Sequence, residues 1–267
     1  METHHDSPGE GLHQVQKPWA PYARLPQNLR SQLRQSWNNL GFNNDVASKL
    51  RYEVDMALLR IRCAVSGRHK RATSELAGRK HLRLHLGCGN ALLPGWINMD
   101  CYPPGKIPGA EILMLDMRRK WPLADGSATA LFSEHFLEHL PFETVRDHIL
   151  KEIRRVLEPG GHVRIGVPNG EYFVEQYMAS KRGTTDPLYE LARHGKSSMV
   201  MLNEIAHGFG HYFAYDFETM QQILKEAGFA EIRRMKPDNT DVEVFKGLDR
   251  EDPCLMAMTL YVEAMRP

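Results

Sequence analysis

The sequence predicts an α/β protein built on a mainly parallel β-sheet. Short apolar strands recur from residue 82 onward, helical patterns lie between several of them, and turn signals such as Glu158-Pro159-Gly160-Gly161 separate the two. Strands that alternate with helices pair in parallel, and such sheets bind ligands at the carboxyl ends of their strands. Ligand-binding residues are therefore expected where the strands end.

The individual elements follow from local patterns. Strands are predicted over residues 82–86, 96–99, 111–115, 128–132, 162–167, 230–235 and 255–263. One helix is predicted over 142–157, and a second runs from its cap Asp216 to Ala227, with Gly228 as the stop. Residues 169–210 form a long insertion to which the patterns assign no structure.

The first 80 residues predict a separate extension. Residues 1–27, rich in Pro, Gly and His, are expected to be a flexible tail, and residues 28–80 a helical N-terminal extension with amphipathic patterns at 29–40 and 46–61. Residues 60–83 then hold eight Lys or Arg against one Glu. Such a run is usually a solvated surface, and a site for RNA or an anionic substrate is the alternative.

Composition excludes several classes of protein. The 267 residues carry a formal net charge of +1, which gives no overall bias toward nucleic acid or membranes. No stretch is apolar and long enough to cross a bilayer, and the N-terminus lacks the apolar core of a signal peptide. The four cysteines form no CxxC pair, so we expect reduced thiols and a cytoplasmic protein.

A nucleotide site is predicted at the end of the first strand. Gly87-Cys88-Gly89 makes a tight turn there, and glycines let a backbone approach a ligand closely. Asp100 ends the second strand, where a carboxylate can accept hydrogen bonds from ribose hydroxyls, and Asp116 follows at the end of the third. Either aspartate alone is equally well explained as a turn residue, but the ordered series favours a nucleoside ligand.

The spacing of the motif disfavours a dinucleotide ligand. The pyrophosphate fingerprint GxGxxG needs a third glycine where this chain has Leu92, and its acidic residue lies about 20 residues further on. Here Asp100 comes soon after Gly89, and the intervening Pro94-Gly95 leaves no room for a full helix.

Together, these motifs resemble those of class I S-adenosylmethionine-dependent methyltransferases. The matching segments are Leu86-Gly87-Cys88-Gly89, Asp100, Asp116 and Leu157-Glu158-Pro159-Gly160-Gly161. Residues 93–100, 133–140 and 260–264 are similar to a narrower bacterial group of predicted methyltransferases, which is methyltransferase type 11-like. The resemblance covers residues 82–265. It implies a Rossmann-like fold over 81–267, with the insertion at 169–210 and a mostly parallel seven-stranded sheet whose last strand is antiparallel.

The resemblance also implies roles for particular residues, with S-adenosylmethionine as the cofactor. The cofactor-binding set is His85, Gly87, Cys88, Gly89, Asn90, Asp100, Asp116, Met117, Ser133 and Glu134. Within it, the backbone of Gly87–Gly89 approaches the methionine part and Asp100 holds the ribose. Asp116 and Met117 flank the adenine, and Ser133 and Glu134 lie near the transferable methyl group.

Histidines cluster after the fourth strand. The segment 135–139 matches HxxEH, the motif of one class of zinc hydrolase, but it directly follows a strand and is cut short by Pro141. His207 and His211 form another pair, with two glycines between them that disfavour a continuous helix. A structural role is the usual one for any single histidine. The sharper hypothesis is that His135, His139 or His211 faces the substrate and acts as general base. A metal held by several of them is a lesser alternative.

The sequence therefore predicts a methyltransferase. The methyl group would pass from S-adenosylmethionine to an oxygen or nitrogen, in preference to a carbon, of a small molecule or carbohydrate. An RNA-directed enzyme that uses residues 60–83 and an HxxEH zinc hydrolase are the alternatives. No membrane or nucleic-acid partner is expected, and a homodimer is an open prediction.

Overall fold

The computed structural model describes residues 44–102, 105 and 107–267, together with residues 32 and 41. The predicted tail and, apart from residue 32, the first amphipathic pattern (residues 29–40) lie outside the described part. The chain divides into two compact units, residues 1–62 and 63–267, and the domain boundary at residue 80 stays a prediction. Within the described residues, no helix is both long and apolar enough to cross a membrane.

Within residues 44–81, two helices precede the sheet. Helix α1 spans Asn44–Val65 and contains the second predicted amphipathic pattern. Helix α2 spans Gly67–Ala77 and starts at Ser66, whose hydroxyl accepts a hydrogen bond from the backbone N–H of His69. Helix α2 lies within the basic run of residues 60–83, and its bounds were not predicted from the sequence. Only Leu76 of α2 is buried, so the helix has no apolar stripe that a pattern search would detect.

The seven-stranded sheet has the predicted architecture. Its strands are β1 Leu82–Leu86, β2 Ile97–Asp100, β3 Glu111–Met114, β4 Ala128–Glu134, β5 Leu157–Pro168, β6 Ala230–Met235 and β7 Thr259–Met265. They lie in the order β3-β2-β1-β4-β5-β7-β6. Strands β1 to β5 pair in parallel, whereas β7 runs antiparallel to both β5 and β6. The predicted fold class is confirmed.

Most boundaries agree with the prediction to within two residues, and three elements differ from it more substantially. Helix α3 (residues 142–156) is interrupted by a π-helical segment, Val145–Ile149. Strand β5 already begins at Leu157, and the predicted Pro-Gly-Gly turn interrupts it: the pairing with β4 resumes at His162. The prediction of a strand from residue 255 was wrong at its start. Asp252 caps a short helix, α8 (Pro253–Met258), which Pro253 opens at the first helical position.

The connection from β1 to β2 contains no helix, as the short spacing before Asp100 predicted. The part of the chain between β6 and α8 covers the sheet there instead. Its Phe245 stacks on Trp96 with ring centroids 6.5 Å apart, and both pack with Ala130 and Phe132 of β4. A distant segment thus replaces the usual crossover helix.

The insertion forms a helical layer with its own small core. Helices α4 (Gly170–Ser180), α5 (Pro187–Arg193) and α6 (Ser198–His207) contribute Phe173, Tyr189 and Met201, which are buried with Cys254 and Met258 from α8. Helix α7 (Phe217–Glu226) follows and is capped by Asp216, as predicted. Aromatic residues of the insertion such as Phe173 and Tyr189 therefore serve packing.

Candidate cofactor and acceptor site

The turn after β1 is tied to the end of β2. The backbone N–H groups of Gly87 and Cys88 both donate to the carbonyl of Met99, at 2.9 and 3.3 Å. Gly87 and Gly89 have positive φ angles of 68° and 47°, which glycine adopts without strain. The two glycines thus allow the chain to reverse sharply at the carboxyl edge of the sheet.

The two glycines serve different purposes. A Cβ on Gly87 would lie 2.3 Å from the ring of Phe136, whereas a Cβ on Gly89 would meet no atom within 4 Å. Gly87 therefore makes room for a neighbouring side chain, and Gly89 faces open space. The expectation that both glycines admit a ligand is supported by the geometry of Gly89 alone.

Asp100 lies beside this turn. Its Oδ2 accepts from the backbone N–H of Gly89 at 2.9 Å, and its Oδ1 accepts from that of Tyr102 at 3.2 Å. The thiol of Cys101 also hydrogen-bonds this carboxylate. A carboxylate has about four acceptor positions, so it can still accept from a ligand hydroxyl. Burial and the nearby Asp100 charge raise the pKa of Cys88 to about 12, which keeps this thiol protonated. Cys88 is a turn residue and no nucleophile.

The third strand end is already engaged with protein groups. Asp116 is buried, and its Oδ1 accepts from the backbone N–H of Arg118 at 3.1 Å and from its guanidinium Nε at 2.9 Å. The carbonyl of Met117 accepts from the indole of Trp121 at 3.0 Å. Asp116 and Met117 therefore form an ordered turn after β3, next to the carboxyl end of β2.

His85 and Asn90, also predicted for the cofactor, lie on either side of the turn. His85 is buried in β1, where its Nδ1 is 3.1 Å from Oδ1 of Asn98, and burial lowers its pKa. Asn98 also accepts from the backbone N–H of Leu93, so the pair fixes the β1–β2 connection. Asn90 is exposed. The contacts of His85 are those of a structural residue.

Ser133 and Glu134 end β4. Ser133 is fully buried, and its hydroxyl has no hydrogen-bond partner among the described residues. Glu134 accepts from the hydroxyl of Tyr261 and pairs with Arg250, whose Nε lies 2.8 Å from Oε2. Neither Arg250 nor Tyr261 was predicted from the sequence to be a site residue. Arg250 is 116 residues from Glu134 and lies in no recognisable motif.

The segment after β4 does not form the helix that an HxxEH zinc hydrolase requires. His135 has a positive φ of 52°, and only Leu137–His139 form a short 3₁₀ turn. His135 and His139 therefore do not share a helical face. The zinc-hydrolase alternative has no support in this geometry.

Both ring nitrogens of His135 are engaged. Nε2 lies 3.0 Å from the hydroxyl of Thr259, which itself donates to the carbonyl of Leu255. Nδ1 lies 3.3 Å from Oε1 of Glu138. His135 thus orients Glu138 and has no nitrogen available to accept a substrate proton.

His139 and His211 meet beside Glu138. Their rings are 4.8 Å apart and nearly perpendicular, and Nε2 of His139 lies 4.0 Å from Oε1 of Glu138. Burial lowers the pKa of His139 against the opposing effect of Glu138. Burial by itself would raise the pKa of Glu138, but its hydrogen bond with His135 and the charges of the three histidines lower it. His207, by contrast, is exposed and outside this cluster.

A sequence-family comparison decides the class of protein. Residues 97–165 match the family model described as a methyltransferase domain, and this range covers β2 to most of β5. The chain carries a class I methyltransferase domain. Its sheet order, with the antiparallel β7 between β5 and β6, has the architecture expected of that class. No curated protein matches the chain in sequence.

Solved structures similar to this methyltransferase share little sequence with it. A possible exported protein from Bordetella parapertussis is 15% identical, with 75% of this chain and 67% of that one covered and a TM-score of 0.42. The methyltransferase SibL in its apo form is 18% identical, with 78% and 62% covered and a TM-score of 0.42. An S-adenosylmethionine-dependent methyltransferase from Mesorhizobium loti is 18% identical, with 76% and 99% covered and a TM-score of 0.43.

The cofactor of this methyltransferase is S-adenosylmethionine. The residues around the β1 turn fit such a ligand in three respects. Gly89 faces open space, Asp100 retains acceptor positions, and the buried hydroxyl of Ser133 has no protein partner among the described residues. An unpartnered buried hydroxyl is costly, and a ligand atom would relieve that cost.

Proposed function

We propose that this methyltransferase methylates an oxygen or nitrogen atom of a small molecule or carbohydrate. The observation that carries the proposal is the position of the Glu138–His139–His211 cluster. The segment that bears Glu138 and His139 is packed against the Gly87–Gly89 turn, because Phe136 fills the space beside Gly87. Imidazole and carboxylate groups at this place suit an acceptor that carries an O–H or N–H proton.

The cofactor would be held at the carboxyl edge of β1, β2 and β4. In the proposal, the backbone of Gly87–Gly89 lies along the methionine part and Asp100 accepts from the ribose hydroxyls. Asp116 and Met117 flank the adenine, and Ser133 and Glu134 lie near the methyl group. The bound cofactor supplies a methyl group on an electrophilic sulfonium, so the protein must mainly align the acceptor and exclude water.

The acceptor would be small, because the side chains of the cluster are largely buried. The side chain of Glu138 is 1% exposed and that of His139 20% exposed. A compact polar group can reach these residues, whereas a folded macromolecule would have to present a protruding residue or base. Of the three histidines proposed as catalytic, His135 acts by positioning Glu138, so His139 and His211 are the candidates to contact the acceptor.

RNA is the second candidate acceptor, and one observation favours it. Arg68, Lys70 and Arg71 of α2 are all exposed. They form a basic surface that suits phosphates. This surface alone does not bring a nucleobase to the cluster, so the small acceptor is preferred. A cytoplasmic location and a homodimer remain predictions.

The two acceptor classes are distinguished by the release of S-adenosylhomocysteine. The purified chain is incubated with S-adenosylmethionine and either a low-molecular-weight metabolite fraction or total RNA. We expect turnover with the metabolite fraction, insensitive to nuclease and unchanged when Arg68, Lys70 and Arg71 are replaced by Ala. Turnover only with RNA, and its loss in the triple variant, would contradict the proposal.

A further inference from the structure

The Glu138–His139–His211 cluster has the composition of a metal site. One potential ligand atom from each residue lies within 4.8 Å of the other two. Two ligand atoms of one zinc ion are separated by about 3–4 Å. Side-chain rotations that shorten the distances between these atoms by about 1 Å would therefore bring them to coordination geometry. Glu138 is buried and the two imidazoles are partly buried.

Both imidazoles are oriented by backbone carbonyls. Nδ1 of His211 lies 2.9 Å from the carbonyl oxygen of Ile205, to which it can only donate. His139 likewise hydrogen-bonds the backbone of Gly210, and its Nε2 is directed toward Glu138. In metal sites, a ligating histidine almost always donates its other ring N–H to such a carbonyl or to a carboxylate, which fixes the ring and its tautomer.

Glu138 supplies the second, independent observation. Its Oε1 faces His135, whereas its Oε2 is buried and has no hydrogen-bond partner among the described residues. A buried carboxylate oxygen without a partner is strongly unfavourable. A cation beside Oε2 would remove that cost, and His135 would then hold the carboxylate in place through Oε1.

We infer that Glu138, His139 and His211 bind a divalent transition-metal ion such as Zn²⁺. Two imidazoles and one carboxylate select such ions over Mg²⁺ and Ca²⁺, which prefer oxygen ligands alone. Three protein ligands leave a coordination position open for water or an acceptor oxygen. The role of the ion in binding the acceptor rests on the proposed function, but binding of the ion does not.

The test is metal binding by the full chain. Tag-free protein, stripped with a chelator, is titrated with Zn²⁺ and, separately, with Co²⁺, whose visible absorption reports its coordination. Matched variants are His139→Ala, His211→Ala and Glu138→Gln, with the exposed His207→Ala as the control. All variants retain the histidines at positions 4, 5 and 13, so differences between variants isolate the cluster.

We expect one tightly bound ion per chain in the wild type and in His207→Ala, and affinity at least tenfold weaker in the cluster variants. Circular dichroism and S-adenosylhomocysteine binding show whether each variant is folded. Absence of a stoichiometric ion in the wild type, or equal affinity in folded cluster variants, overturns the metal site. Failure to bind S-adenosylhomocysteine would instead count against the proposed function, so the two failures are distinguishable.

Discussion

The backbone N–H of Gly89 donates to Oδ2 of Asp100 at 2.9 Å. This hydrogen bond joins the two loops at which the cofactor is proposed to bind, one after β1 and one after β2. The turn and the carboxylate are therefore a single structural unit, and a change in either should affect cofactor binding.

Replacing Asp100 by Asn should weaken binding of S-adenosylhomocysteine. The amide has one acceptor oxygen in place of two and no charge, so hydrogen bonds to the ribose and to Gly89 or Tyr102 are lost. A hydrogen bond to a charged group contributes about 1.5–3 kcal/mol, which corresponds to roughly tenfold to hundredfold in affinity. Calorimetric titration measures the change. The exposed Asp147→Asn serves as the control, and equal affinity in both variants would show that Asp100 does not bind the ribose.

Alanine at the two turn glycines should have different effects. In Gly87→Ala the new Cβ meets Phe136, and overpacking plus the strained φ should lower the free energy of unfolding by about 2–4 kcal/mol. In Gly89→Ala only the strain of about 1–2 kcal/mol applies, but the methyl group projects toward the proposed cofactor. Denaturant unfolding and S-adenosylhomocysteine titration measure the two effects. Equal destabilisation by both variants is the contrary result.

The buried ion network at Arg164 should be essential for stability. Arg164 is fully buried and bonds Glu263 through Nη1 at 2.6 Å and Asp249 through Nε at 2.8 Å. Asp249→Ala leaves this charge underpaired and should lower the free energy of unfolding by about 3–5 kcal/mol. Asp241→Ala, which removes an exposed partner of Arg233, should cost at most about 1 kcal/mol. Similar losses in the two variants would contradict this account.

Glu152 should make the fold sensitive to acid. Burial opposes its ionisation, but hydrogen bonds from Arg155 and from the backbone of Trp121 outweigh this and lower its pKa from 4.5. A carboxyl group whose pKa is lowered by folding stabilises the fold at pH values above its unfolded-state pKa. This stabilisation is lost as the pH falls through the folded-state pKa. We expect Glu152→Gln to be less stable than the wild type near pH 7, and the difference to shrink below about pH 4.5. A difference independent of pH would show that the carboxylate charge is not responsible.

The sequence predicted those parts of the site that are local in the chain. Gly87, Gly89 and Asp100 lie at consecutive strand ends, so their order and spacing were enough to predict their proximity. Contacts between distant residues could not be read in this way. Gly87 is needed because the ring of Phe136 occupies the place of a Cβ, and Glu134 pairs with Arg250. Both contacts depend on how loops far apart in sequence pack over the sheet. His139 and His211 were both predicted from the sequence as substrate-facing candidates, but the position of His211 beside Glu138 depends on this packing.

Titration of the purified chain with S-adenosylhomocysteine tests the central claim most directly. We expect saturable binding of one molecule per chain and competition by S-adenosylmethionine. We expect no competition by NAD, because the turn lacks the third glycine of a dinucleotide site. Absence of binding by both S-adenosyl compounds, in a chain shown to be folded, would contradict the assignment of the Gly87–Asp100 region as a methyltransferase cofactor site.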